Sequence, residues 1–195
     1  VSGGWYITNR AAVAGPVTVT IYDSIGADGV RAPSLLAGIG SADEVDVRIN
    51  SEGGDVFEAI TIYNRLADLR RVSVTVDGLA GSAASVVAMA ASPGLLAMAP
   101  HSRLMIHEAH FYGPSGTAAE LSAMAALLDG LSDEIAKVYA HRSGKPAAYW
   151  RDRMRAETWF TAAQAVAEGL ADYVTDPLGI AGVVRASLRE MGWRG

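Results

Sequence analysis

Short runs rich in β-branched residues alternate with helix-patterned stretches along this chain, and glycine turns join them. That alternation limits the fold more than any other feature, because parallel strands need crossover helices between them. Val17 to Asp23 and Val72 to Asp77 read as strands by composition, and Val45 to Asn50 by its apolar–polar alternation. Leu95 to Ala99, Arg103 to His107 and Tyr173 to Thr175 add short strands. Between them lie a short helix capped by Ser34 and running through Ile39, and an amphipathic helix with Val56, Ala59, Ile60, Tyr63, Leu66 and Ala67 on one stripe. Thr117 to about Arg142 reads as a long helical segment interrupted only by Gly130 and ended by Gly144 and Pro146; Ala147 to Arg155 and a Thr161-capped Ala162 to Glu168 follow. The pattern predicts an α/β layer fold with a mainly parallel sheet of βα units. With no internal repeat or linker, residues 1–195 read as a single domain, with 1–16 loosely held and 177–195 a tail.

Composition narrows the function. The absence of cysteine removes disulfides, thiolate zinc sites and cysteine nucleophiles. A net charge of −5 with no basic run longer than a pair argues against a nucleic-acid groove. The longest apolar stretch, Ala83 to Ala91, is too short to cross a bilayer and follows no basic segment. The expectation is a soluble, cytoplasmic protein without membrane or nucleic-acid partners.

A serine hydroxyl needs a base within hydrogen-bond reach and an oxyanion site before it can act as a nucleophile. The turn Gly78-Leu79-Ala80-Gly81-Ser82-Ala83-Ala84-Ser85 joins a strand to a run of small residues, where a substrate backbone could approach and helix amides face outward. Either Ser82 or Ser85 fits, and either could equally cap an alanine helix. The turn lacks the Gly-x-Ser-x-Gly pattern of α/β-hydrolases.

A second strand-to-helix joint, Ile49-Asn50-Ser51-Glu52-Gly53-Gly54-Asp55, offers paired glycines as an anion nest or merely as a turn that tolerates positive φ. Of the four histidines, His107 ends an apolar strand, the position where catalytic groups gather in α/β folds. His101 sits in a turn and His141 on a helix. His107-Glu108-Ala109-His110 is not the His-Glu-x-x-His helix motif, and no acidic ligand set at metal spacing accompanies it, so no metal is expected.

Taken with Pro100-His101-Ser102-Arg103-Leu104-Met105-Ile106-His107, Glu157-Thr158-Trp159-Phe160-Thr161-Ala162 and Glu168-Gly169-Leu170-Ala171-Asp172, the two glycine turns resemble the Clp-type serine peptidases. The resemblance covers roughly residues 17–176 and looks closest to the Clp-like head-maturation (prohead) proteases of tailed phages and prophages. It implies the fold shared with crotonases, with a protruding handle helix. It also implies a Ser-His-acid triad: Ser82, which stands 25 residues before His107 as in the family, where Ser85 would need a gap; His107; and an acid aligned at Glu157. Asp152 and Asp172 are alternative acids, and Glu157 could instead pair with Arg153 or Arg155 at the surface. The amides of Gly54 and Ala83 fall where the family builds its oxyanion hole.

Three positions depart from housekeeping members: Glu157 replaces aspartate, Glu52 replaces proline, and Val1 to Pro16 does not resemble the axial-loop segment that couples to an unfoldase. The resemblance implies an endopeptidase acting on extended polypeptide through an acyl-enzyme, with capsid or scaffold protein as target, no cofactor, and no assumed ATPase partner. The 117–142 handle segment, with Leu121, Met124, Ala125, Leu128, Leu131 and Ile135 along it, implies a ring-forming homo-oligomer, or packs within its own subunit. Rival readings are a housekeeping peptidase fed by an unfoldase, a crotonase-type acyl-CoA enzyme, and a catalytically silent assembly protein.

Overall fold

The computed structural model describes residues 16–176 together with the strand backbone of Trp5–Ile7. In chain order the elements are β1 Trp5–Ile7, β2 Val17–Ile21, α1 Ala32–Ile39, β3 Glu44–Ser51, α2 Val56–Ala67, β4 Arg71–Gly81, α3 Ala83–Ala88, β5 Leu96–Met98, β6 Arg103–Ile106, α4 Ala118–Ser143, α5 Ala147–Arg155, β7 Thr158–Thr161, α6 Ala162–Glu168 and β8 Tyr173–Val174. The strands form one sheet in the order β1-β2-β3-β4-β5-β8, with β6 beside β4 and β7 beside β6. From β2 to β8 the path is parallel throughout, which bears out the α/β architecture with a mainly parallel sheet.

Strand β4 does double duty. Its first half, Val74 to Val76, pairs with β5, and its last three residues, Leu79 to Gly81, pair with β6, both in parallel. Alternate residues Val45, Val47 and Ile49 of β3 and Val72, Val74 and Val76 of β4 are fully buried. The opposite face is polar and half-exposed: Asp77 accepts from Tyr22 and Arg48, and Asp46 from Ser73 and Arg71. A period of two, with one face buried, holds the register of these strands, since a one-residue slip would invert every side chain.

Among the described residues three of the six helices, α2, α4 and α6, start on a side-chain cap, and α1, α3 and α5 do not. Asp55 caps α2 by accepting from the amides of Phe57 and Glu58, and Thr117 and Thr161 form capping boxes with Glu120 and Gln164. Ser34 does not cap α1, as the sequence suggested; the helix begins at Ala32 after Arg31, with a proline in its first turn. Its Ala32 amide is satisfied from another element, by Glu58 Oε2 of α2 at 2.6 Å. The buried stripe of α2 is Ala59, Ile62 and Leu66, so Ile62 replaces the expected Ile60 at its centre.

Helix α4 runs unbroken through Gly130, where an added β-carbon would meet nothing within 4 Å. The intact ladder of flanking turns offsets glycine's cost of about 1 kcal/mol. Only the C-terminal half packs down, through Ser132, Ile135, Ala136 and Tyr139, while Leu121 and Leu127 stay exposed. Of the stripe read from sequence, Ile135 alone is buried, so the N-terminal half projects from the body of the protein. Trp150 of α5 anchors the packed half: it is fully buried near Tyr139 and Phe160, with its indole N–H donating to Ser143 at 2.8 Å.

Within the segment expected to be loosely held, Trp5–Ile7 pairs antiparallel with β2 as the edge strand. The ladder of β2 supplies hydrogen bonds that local sequence does not announce. The remainder of that segment, and the 177–195 tail, lie outside the described residues. Among the described residues no helix is long and apolar enough to cross a membrane.

Candidate active site

The end of β4 carries Ser82. Its φ of 48° and ψ of −123° are unusual for a residue with a β-carbon, and they belong to the abrupt turn from β4 into α3. Parallel pairing of Gly81 with Met105 continues into a hydrogen bond from the Ser82 amide to the Met105 carbonyl at 2.9 Å. The serine is thus tied to β6, the strand that ends just before His107. The imidazole Nε2 of His107 lies 2.7 Å from Ser82 Oγ.

Strand β7 runs antiparallel to β6 with Ile106 opposite Thr158. The residues just beyond that pair, His107 and Glu157, therefore stand side by side. Glu157 adopts a φ of 43°, and its Oε2 is 3.8 Å from His107 Nδ1, an ion-pair separation rather than a hydrogen bond. The carboxylate is 57% exposed, and its other oxygen accepts from the Trp159 indole at 3.2 Å. Neither alternative acid reaches the imidazole: Asp172 accepts from the Leu96 amide and pairs with Arg142, and Asp152 pairs with Arg155. Nor does Glu157 pair with Arg153 or Arg155, which bond to Tyr149 and to Glu108 and Asp152.

The paired glycines close in on the same turn. Bulge-shifted pairing of Ser51 with Ala80 brings the loop after β3 against the end of β4. A β-carbon on Gly53 (φ 104°) would stand 2.6 Å from the Gly81 carbonyl, 2.8 Å from the Ala83 nitrogen and 2.9 Å from Ser82 Cβ. One on Gly54 would collide with the Ile25 carbonyl at 2.0 Å. The backbone must pass so close that only glycine fits. The Ala83 amide opens α3, where no carbonyl of the preceding turn can serve it.

Burial lowers the His107 pKa from its ordinary value and the charge of His110 lowers it further, against a rise from Glu157. At neutral pH the imidazole is therefore held in the unprotonated form, the form a general base requires. The His110 ring stands edge-on to His107, centroids 4.8 Å apart, and Tyr112 stands edge-on to His110 in turn. Sequence reasoning weighed His110 only as a metal ligand. Among the described residues no cluster of three or more metal-ligating side chains occurs. Trp159 and the Ser85–Tyr139 pair were also missed; the hydroxyls of Ser85 and Tyr139 meet at 2.7 Å across 54 residues, with no local signal for either partner. His101 and His141 are exposed and lie elsewhere.

The Clp protease family model matches residues 16–177, most of the chain. The chain belongs to the Clp protease family. The mainly parallel sheet of this Clp-family chain, with its projecting α4, is the fold the resemblance implied. Curated relatives include the ATP-dependent Clp protease proteolytic subunit 1 of Protochlamydia amoebophila, 34% identical over 65% of this chain and 62% of that protein. The subunit 1 of Chlamydia abortus is 30% identical over 84% of each chain. The proteolytic subunit of Bacteroides fragilis is 31% identical over 80% of this chain and 75% of its own length. The match to the first of these spans less than two thirds of the relative.

Proposed function

We propose that this chain is a serine endopeptidase that cleaves extended polypeptide through an acyl-enzyme. Ser82 is the nucleophile, His107 the general base and then acid, Glu157 the carboxylate that orients the imidazole, and the Gly54 and Ala83 amides the oxyanion donors. The observation that supports this most is the 2.7 Å contact between Ser82 Oγ and His107 Nε2 at a turn where Gly53 passes against the Ala83 amide. Ser82 Oγ adds to the peptide carbonyl as His107 takes its proton, and each amide lowers the barrier by about 3 kcal/mol by bonding the developing oxyanion. His107 returns the proton to the leaving amine, and water then hydrolyses the ester. The single sheet supports reading residues 1–195 as one peptidase domain.

For the physiological target we favour capsid or scaffold protein, cleaved in the host cytoplasm or in an assembling prohead. Glu52 in place of proline and the divergent Val1 to Pro16 segment support a role apart from housekeeping turnover. The names of the relatives favour a second reading, in which an ATPase unfoldase feeds this subunit with substrate. A ring-forming assembly is supported by the projecting half of α4, with Leu121 and Leu127 exposed.

Fluorophosphonate labelling with peptide mapping tests the chemistry. Label at Ser82 that is absent in Ser82→Ala is expected; an unlabelled, folded oligomer would make this a catalytically silent assembly protein. Cleavage of a purified capsid or scaffold protein without nucleotide separates the first target from the second, in which folded substrate is degraded only with an unfoldase and ATP.

A further inference from the structure

Two buried residues outside the triad reach the nucleophile turn from beneath. Ser85 of α3 is fully buried, and Tyr139 of α4 is 1% exposed. The Ser85 hydroxyl donates to the Ser82 carbonyl at 2.5 Å, and the Ser85 amide donates to the same oxygen at 2.9 Å. The hydroxyls of Ser85 and Tyr139 meet at 2.7 Å. A serine hydroxyl has one proton, and here it is committed to the carbonyl, so Tyr139 is the donor in that pair. Burial raises the Tyr139 pKa, which keeps the phenol protonated. The bonds run one way: Tyr139 O–H to Ser85 Oγ, and Ser85 O–H to the Ser82 carbonyl.

The Ser82 carbonyl shares its peptide plane with the Ala83 amide, and in a trans peptide the two point in opposite directions. Two donors drawing the carbonyl inward therefore aim the Ala83 N–H outward. Ser82 is in a sparsely populated backbone conformation, so this peptide would rotate if it were not held on its inner side. Hydrogen bonds in series also polarise one another, so a carbonyl that accepts two of them leaves its amide N–H a stronger donor.

We propose that Ser85 and Tyr139 are positioning residues that hold and polarise the Ala83 amide as an oxyanion donor, and that they join α4 to the nucleophile turn. This rests on the acyl-transfer reading of Ser82. The sequence weighed Ser85 only as a rival nucleophile or a helix cap; its hydroxyl is instead turned inward.

The test uses the intact oligomer and three variants: Ser85→Ala, Tyr139→Phe and the double. The rate of fluorophosphonate labelling is followed against pH, beside the melting temperature. Ser85→Ala strands the buried Tyr139 hydroxyl and lowers the melting temperature; the double variant removes both polar groups and regains most of that loss. Labelling in the double variant is expected to fall about 10-fold, short of the 10²–10³ that follows outright loss of an oxyanion donor. The pH midpoint should not move, because His107 is untouched. Tyr139→Phe, which leaves the Ser85 bond, should fall between the wild type and the double. Wild-type labelling speed in the double variant, or labelling that simply tracks melting temperature across the series, overturns the inference alone. A wild type that takes no label overturns the acyl-transfer reading and this inference with it.

Discussion

His107 Nε2 stands 2.7 Å from Ser82 Oγ, yet on the other side of the same ring Nδ1 stands 3.8 Å from Glu157 Oε2. The imidazole is engaged with Ser82, while the Glu157 carboxylate is held at ion-pair distance, more than half exposed and shared with the Trp159 indole. Water screens such a carboxylate, so it orients the ring less firmly than a buried one. Glu157→Gln should therefore slow fluorophosphonate labelling about 10–100-fold, well short of the ~10⁴ loss when a buried triad acid is neutralised. Ser82→Ala should abolish labelling. A Glu157→Gln protein that labels at the wild-type rate would remove the carboxylate from the reaction.

The pH profile should report the neighbours of His107. A general base works unprotonated, and the His107 pKa is lowered first by burial and then by His110, so if His107 has the proposed role labelling should persist below the ordinary histidine range. Replacing His110 with Asn removes a like charge and eases protonation of His107. The acid limb should then move to higher pH. Glu157→Gln removes the opposing charge and should move it to lower pH. Shifts of opposite sign in the two variants are the expected result; a shared direction would mean that the limb belongs to another group.

Gly53→Ala tests the close approach of the two turns. The added methyl would stand under 3 Å from the Gly81 carbonyl, the Ala83 nitrogen and Ser82 Cβ, at a φ of 104°. A stability loss of about 1–3 kcal/mol is expected from the backbone conformation. Labelling should fall further than stability explains, because the displaced atoms include the Ala83 amide. Denaturant melts and labelling rates on the same sample check both.

Arg151 joins α5 to the segment after His107. Its side chain is buried against Glu108, Asp129 and Asp133, although Nε and Nη1 make no hydrogen bond. Breaking a buried pair costs about 3–5 kcal/mol when a buried charge is stranded, but here Asp129 and Asp133 are open to solvent. Arg151→Ala should cost about 2 kcal/mol through lost packing and charge, and Arg151→Met, which fills the space, less than half of that. Urea unfolding of both variants measures the difference.

The projecting half of α4 should govern assembly. Leu121→Asp with Leu127→Asp places charge on its exposed apolar positions, 39% and 46% exposed. Size-exclusion with light scattering should show a smaller species with an unchanged circular dichroism spectrum, since neither residue packs into the core.

Much of the architecture was legible because it is local. Alternating β-branched residues, the helix start at Thr117 and the Thr161 cap act within a turn or along one strand, so residue spacing reveals them. Ser82, His107, Gly54 and Ala83 were read from the order and spacing of motifs shared with a family, not from periodicity. Where local reasoning failed, a distant element had intervened. Glu58 of α2 satisfies the start of α1, so Ser34 was not needed there. The edge strand Trp5–Ile7 draws its hydrogen bonds from β2.

By itself the sequence determined the βα alternation, the two glycine turns, and the strand end on which His107 sits, because backbone sterics and side-chain periodicity act between near neighbours. Only the tertiary structure decided which carboxylate stands beside His107. Antiparallel pairing of Ile106 with Thr158 delivers Glu157 to the ring and leaves Asp152 and Asp172 paired elsewhere. It alone also joined Tyr139 to Ser85, 54 residues apart, because a buried hydroxyl must find its partner among the groups that folding packs against it.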